Sequence, residues 1–271
     1  MEDSENKSII SSGSSNFDKI EEPLNINHKI LNEYKPKYES VMIGEQEWMT
    51  QNLDIDHFRN GDLISESKTY QEWINSDLSE EPSWCYYDFD PENGKKFGKL
   101  YNFHTIHDPR GLSPENFSIP SLNDFTQLID FLEKENDEVG FKDWIKNYIG
   151  TLKSDLVPAG IKLKSEQHWM KWFDINDENW YDGNGKNNSG FSALPGGYIS
   201  DKFNHIGEIC SFWCNTDIHE DKTIFEICGA YGGFTNVEVY QKNCGSYVRC
   251  LKKPLVCLYN NIKFLGNIIG Y

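Results

Sequence analysis

The stretch SGFSALPGGYI, residues 189–199, decides how the rest of the chain is read. It gathers Gly190, Ser192, Ala193, Pro195, Gly196 and Gly197 into one short segment. Gly190-Phe191-Ser192-Ala193-Leu194 falls one position short of the G-x-S-x-G nucleophile elbow, because Leu194 stands where the last glycine belongs. An elbow also needs a helix after its serine, and Pro195-Gly196-Gly197 stops one. The segment therefore reads as a tight backbone passage, with Gly196 and Gly197 where a side chain would clash. No catalytic residue is assigned to it.

The loop DGNGKNN, residues 182–188, comes immediately before. Its oxygens on Asp182, Asn184 and Asn188, with backbone carbonyls, suit Ca²⁺. It lacks the remaining positions of an EF-hand, including the closing Glu, and a solvated Asx/Gly turn is the alternative. Trp169, Trp172, Trp180, Tyr181 and Trp213 flank it. Exposed, such rings hold sugars and peptide edges; buried, they are core. The expected ligand-binding set is Trp180, Tyr181, Asp182, Asn184, Asn188 and Trp213, with the glycine-rich segment turning beneath the loop.

Further out, VMIGEQEWMTQNL, residues 41–53, reads as a short hairpin turning at Gly44. WCYYDFDPENGKKFGKLYNF, residues 84–103, reads as two aromatic strands around a Pro/Asn/Gly turn. One helix is well signalled in residues 119–136: Ser121 caps, Asp124 completes a capping-box-like pair, and Leu122, Phe125, Leu128, Ile129 and Leu132 recur at helical spacing. A second helix fits residues 141–152. Short strands recur from about 191 to 251. Strands, then two helices, then strands with long loops give an α+β fold. Residues 1–40 read as a disordered polar arm, 41–253 as the domain, and 254–271 as an apolar C-terminal extension too interrupted to span a bilayer.

The 271 residues carry a formal charge of −17, which repels phosphate backbones and anionic lipid heads, so nucleic acid is excluded as a partner. Aromatics make up 14% of the chain against 38% hydrophobic in total, a balance that suits a loop-rich fold. Seven cysteines leave at least one thiol free or bonded between chains. The opening residues lack a basic stretch followed by an apolar one, so the chain as written reads as cytoplasmic. His104, His107 and Asp108 form H-x-x-H-D, a conceivable zinc pattern with no further ligand at a recognisable spacing. Cys210/Cys214 and Cys244/Cys250 lack knuckle spacing, and separate buried thiols are the plainer reading. No metal site is assigned.

Read together, IGEQEWMTQNL, RNGD, WCYYDFD, GKLYNF, DPRGLSPENFSIPSLNDFTQL, GIKLKS, NNSGFSALPGGY, IGEICSFWCNTD and YVRCLK resemble, in content and order, the Fibrobacter succinogenes major paralogous domain. The resemblance implies a C-type lectin-like fold, with small twisted antiparallel sheets and two helices supporting long loops. Many members look exported or lipid-anchored on Bacteroidetes-type bacteria. The family often has Cys-Pro-x-Gly-Trp-His where this chain has Ser113 to Ser118. If that cysteine bridges to the one in the V-R-C segment, Cys250 lacks its partner here. Formylglycine-generating enzymes look related at the fold level and use paired cysteines, but fold kinship carries no activity.

The expectation is a non-catalytic binding or surface-interaction domain for a glycan or protein, of unknown oligomeric state. A formylglycine-generating-type oxidoreductase and a structural part of a cell-surface or phage assembly are the alternatives. Arg249 is expected to be buried against a carboxylate or backbone carbonyls, since an unpaired charge between Val248 and Cys250 would be costly; Asp108 is one candidate partner.

Overall fold

A computed structural model describes residues 38–134, 159–174, 178–218, 221–228, 235–240 and 244–252. All of these fall in the compact unit Tyr38–Tyr271. The expected second helix, nearly all of the N-terminal arm and the C-terminal extension lie outside the described residues.

The described chain is mixed α+β, with several small sheets and few helices. β1 (Ser40–Ile43) and β2 (Gln46–Met49) form the expected hairpin, with Trp48 opposite Val41 and Gly44 at φ +60° in the turn. β2 also pairs with β15 (Leu251–Lys252), which pairs in turn with β6 (Phe117–Ser118). The two ends of the domain are thereby fastened together. Met49 N and Leu53 N extend the seam by donating to Cys250 O at 3.0 Å and Val248 O at 2.8 Å.

β3 (Ser65–Glu66), β4 (Ser83–Cys85) and β5 (Leu100–Asn102) belong to a second sheet with β9 (Tyr198–Ile199), β10 (Phe203–Asn204) and β14 (Gly245–Ser246). Its spatial order is β10-β9-β14-β5-β4-β3. β4 and β5 pair antiparallel as the aromatic runs implied, with Trp84 opposite Tyr101. Their connection is not a tight turn. It contains α2 (Pro91–Phe97), for which Asp90 caps Glu92 N at 2.9 Å and Gly98 at φ +81° ends the helix. Pro at the first helical position and Gly just past the last are ordinary helix punctuation. Read as turn formers, they hide the helix.

α1 (Tyr70–Leu78) precedes this unit, with Thr69 accepting from Glu72 N at 3.2 Å. It buries only Trp73, which leaves almost no periodic signal in the sequence. The short α3 (Phe103–Ile106) comes directly after β5.

α4 (Leu122–Lys134) is the helix the apolar spacing predicts. Asp124 N donates to Ser121 Oγ at 3.2 Å, and Asp124 Oδ2 accepts from Ser121 N at 2.7 Å. Phe125, Leu128, Ile129 and Leu132 are buried, each contributing about 1.5–3 kcal/mol relative to exposure. They join a core with Trp48, Phe191, Phe212 and Phe225, in which Phe125 stacks on Phe225 at 4.3 Å. α5 (Ala159–Leu163) packs near α4.

A third sheet is longer than the expected short strands. β11 (Ile209–Ile218), β12 (Asp221–Cys228) and β13 (Thr235–Tyr240) form an antiparallel meander. Finally, β7 (Trp172–Asp174) and β8 (Asn179–Tyr181) make a separate two-stranded ribbon. Among the described residues, no helix is long and apolar enough to cross a membrane.

Candidate functional site: an aromatic ribbon and the loop behind it

The segment 189–199 is the seat on which the candidate site rests. Ala193 N donates to Leu163 O at 2.8 Å, and Ser165 N donates to Ala193 O at 2.9 Å, joining the segment to the end of α5. Gly197 N donates to Ile209 O at 2.9 Å, joining it to β11. A Cβ on Gly196 would lie 2.5 Å from Tyr247 Oη. One on Gly197 would lie 2.1 Å from Asn204 O, with φ already at +68°. Both glycines are therefore required by close approach. Ser192 also has a positive φ, +56°, and its N–H donates to Asn187 Oδ1 at 2.7 Å. The next element after Ser192 is the strand β9, where a nucleophile elbow would have a helix.

The loop 182–188 is fastened across the same seat. Gly185 N donates to Ser165 O at 2.9 Å and Asn187 N to Lys164 O at 3.1 Å. Asn184 Oδ1 accepts from Trp169 N at 3.0 Å, and Asp182 Oδ1 accepts from Asn184 N at 3.1 Å. Asn184 Oδ1 and one carboxylate oxygen of the exposed Asp182 are thus directed at backbone N–H groups. No group of three or more His, Cys, Asp or Glu side chains among the described residues could hold a metal ion. Asn188 is exposed and lies at a different place from the ribbon residues. It lines a groove of about 610 Å³ with Met42, Phe131 and Lys162.

The ribbon carries aromatic side chains on both faces. Cross-strand partners share a face, so Trp172 and Tyr181 form one pair and Phe173 and Trp180 the other. Trp172 stacks on Tyr181 at 4.9 Å, and Phe173 meets Trp180 at 5.4 Å. Trp180 is 68% exposed, Phe173 44% and Tyr181 40%. Met170 beside them is also exposed.

The structure therefore brings Trp180, Tyr181 and Asp182 together and leaves Trp213 out. Trp213 on β11 is fully buried, its Nε1 donating to Tyr101 O at 2.7 Å. Both faces of β11 are covered from Cys210 to Cys214, which puts Trp213 in the core, so it is corrected from ligand contact to core residue. Phe173 and Met170 are exposed apolar side chains of this candidate site that the sequence analysis did not single out. Their signal was a place beside Trp169 and Trp172 in the run WMKWF, residues 169–173.

Arg249 is fully buried, but Asp108 is not its partner. Its Nε and Nη2 donate to Asn52 Oδ1 at 3.2 and 2.7 Å, and Nη1 donates to Met49 O at 3.2 Å and to Phe191 O. The guanidinium also lies 4.6 Å from the Phe191 ring centre. Burial pulls its pKa down to about 10, leaving it charged near neutrality. Asp108 instead accepts from Arg110, whose guanidinium holds its carboxyl below the usual range. His104 Nε2 lies 3.3 Å from Asp77 Oδ1, while His107 packs on Phe103, so the H-x-x-H-D residues do not converge.

Cys85, Cys210, Cys214, Cys244 and Cys250 are buried free thiols. Burial pushes every one of their pKa values up, Cys214 and Cys250 to about 12. Reactive thiols require the opposite setting, partly exposed and electropositive.

These features define a mixed α+β domain of small sheets, closed end to end, that displays an aromatic ribbon. A family model described as the Fibrobacter succinogenes major domain matches residues 41–252, and the chain belongs to that family. No curated protein and no solved structure matches the chain.

Proposed function

We propose that this chain is a non-catalytic binding or surface-interaction domain with a C-type lectin-like architecture, holding a glycan or protein ligand on the β7–β8 ribbon. The observation that carries the reading is the exposure of Trp180, Phe173 and Tyr181 together on one small element. Five other tryptophans, Trp48, Trp73, Trp84, Trp169 and Trp213, are buried. Clustered exposed aromatics mark interaction surfaces more often than isolated ones do. The architecture is supported by small sheets, flanking helices and long connections. A binding role is favoured over thiol chemistry by the burial of Cys85, Cys210, Cys214, Cys244 and Cys250.

The test is a glycan-array and protein-partner screen on the full chain, with and without Ca²⁺, read first by thermal shift. A ligand of the folded state raises the unfolding midpoint. The double variant Trp180→Ala, Asp182→Ala is expected to abolish the shift while retaining the native midpoint. A ligand whose affinity is the same for this variant would remove the ribbon as the binding site.

A further inference from the structure

The chemistry that the ribbon selects depends on the groups surrounding its aromatic faces, and this inference rests on the binding reading above. Sugar hydroxyls are recognised by a few precisely placed polar groups beside an apolar face. Here the neighbouring loop directs its side-chain oxygens inward: Asn184 Oδ1 and Asn187 Oδ1 accept backbone N–H groups at 3.0 and 2.7 Å. What the ribbon presents outward is π surface and negative charge. Glu178 and Asp182, both exposed, bracket Trp180 two residues to either side. The chain as a whole carries −17.

An indole face among carboxylates attracts a cation twice, through the ring quadrupole and through direct Coulomb attraction. Trp is the strongest of the aromatic rings in this respect. Lys and Arg also carry methylene stems that lie along apolar surface, here that of Phe173, the cross-strand neighbour of Trp180. An anionic polymer would meet repulsion at the same place.

We infer that the partner of the ribbon is a Lys/Arg-rich protein segment, whose cationic side chains lie over Trp180 and pair with Glu178 and Asp182. The test titrates the full chain calorimetrically with three probes: a Lys/Arg-rich peptide, an acidic peptide of equal length and a neutral glucan oligosaccharide. Trp180→Ala and the charge-neutralising pair Glu178→Gln, Asp182→Asn are titrated alongside, with unfolding midpoints confirming that each folds. The basic peptide is expected to bind the wild type, the acidic one not. Each variant is expected to weaken basic-peptide binding by about three-fold or more, the scale of one exposed cation–π contact.

Equal affinity of the basic peptide for wild type and both variants would overturn the inference, leaving only attraction by overall charge. Trp180-dependent binding of the glucan, with no Trp180-dependent binding of the basic peptide, would overturn the basic partner while keeping the ribbon as a binding site. Absence of any Trp180-dependent binding across the probes and the screen would overturn both.

Discussion

Arg249 and Trp180 are both large side chains with polar atoms, and their surroundings are opposite. Arg249 is fully enclosed, held by Asn52, Met49 O and Phe191 O, and covered by the Phe191 ring. It ties the segment before β15 to the segment after β2 and to residue 191. Trp180 sits on a two-stranded ribbon and leaves two thirds of its surface in solvent. A polar group can be buried where every donor finds an acceptor; an apolar ring can be exposed where exposure is useful. The first setting bears on stability; the second is where the proposed recognition would take place.

Arg249→Met strikes the enclosed region hardest. It leaves Asn52 Oδ1 and two carbonyls without their donor, an expected loss of about 3–5 kcal/mol by urea unfolding. Arg249→Lys is expected to recover only part of this, because an ammonium cannot reproduce the guanidinium fork. Full recovery would show that charge alone matters there.

Gly197→Ala should come next, at about 2–4 kcal/mol, combining a positive φ with a collision against Asn204 O. A variant with the native melting midpoint would break the close-passage reading of residues 189–199.

Glu133 on α4 lies between the two settings, with Oε2 buried and without a hydrogen-bond partner among the described residues. Burial, aided by the like charge of Asp130 and opposed by Lys162, raises its pKa to about 7 from 4.5. The folded state therefore holds this proton where the unfolded state has lost it. The stability associated with Glu133 is fully present below about pH 4.5 and declines as pH rises through 7. Glu133→Gln is expected to flatten that decline when midpoints are compared at pH 5 and 8. An unchanged slope would place the carboxyl in effective contact with water.

Trp180→Ala should affect stability least, by no more than about 0.5 kcal/mol, as for an exposed side chain remote from the core. A loss above about 1.5 kcal/mol would erase the contrast with Arg249, because the indole would then be packing like a core residue.

Legibility tracks the length scale of each signal. The hairpin at Gly44 and the helix from Leu122 are readable because turn and cap residues act on their immediate neighbours. α1 escapes a sequence reading, although Thr69 and Glu72 form a capping pair, because Trp73 is its one buried residue and no periodicity develops. α2 is hidden because Pro91, Asn93 and Gly94 are also turn formers. Of the candidate site, Trp180, Tyr181 and Asp182 are legible from an aromatic pair beside a polar loop; Phe173 and Met170 are not singled out by it.

By itself, the sequence determined the family, the mixed α+β character, the acidic surface and the need for small residues at Gly196 and Gly197. It also required that Arg249, if buried, be paired. Only the tertiary structure decided the partners of Arg249, which are an amide and two carbonyls from segments far away along the chain. Only the tertiary structure separated Trp213 from Trp180. Both obey the same local rule of alternation in a strand. Burial depends on what other segments cover each face, and that cover is supplied by β12, β5 and the surrounding core in one case and by solvent in the other.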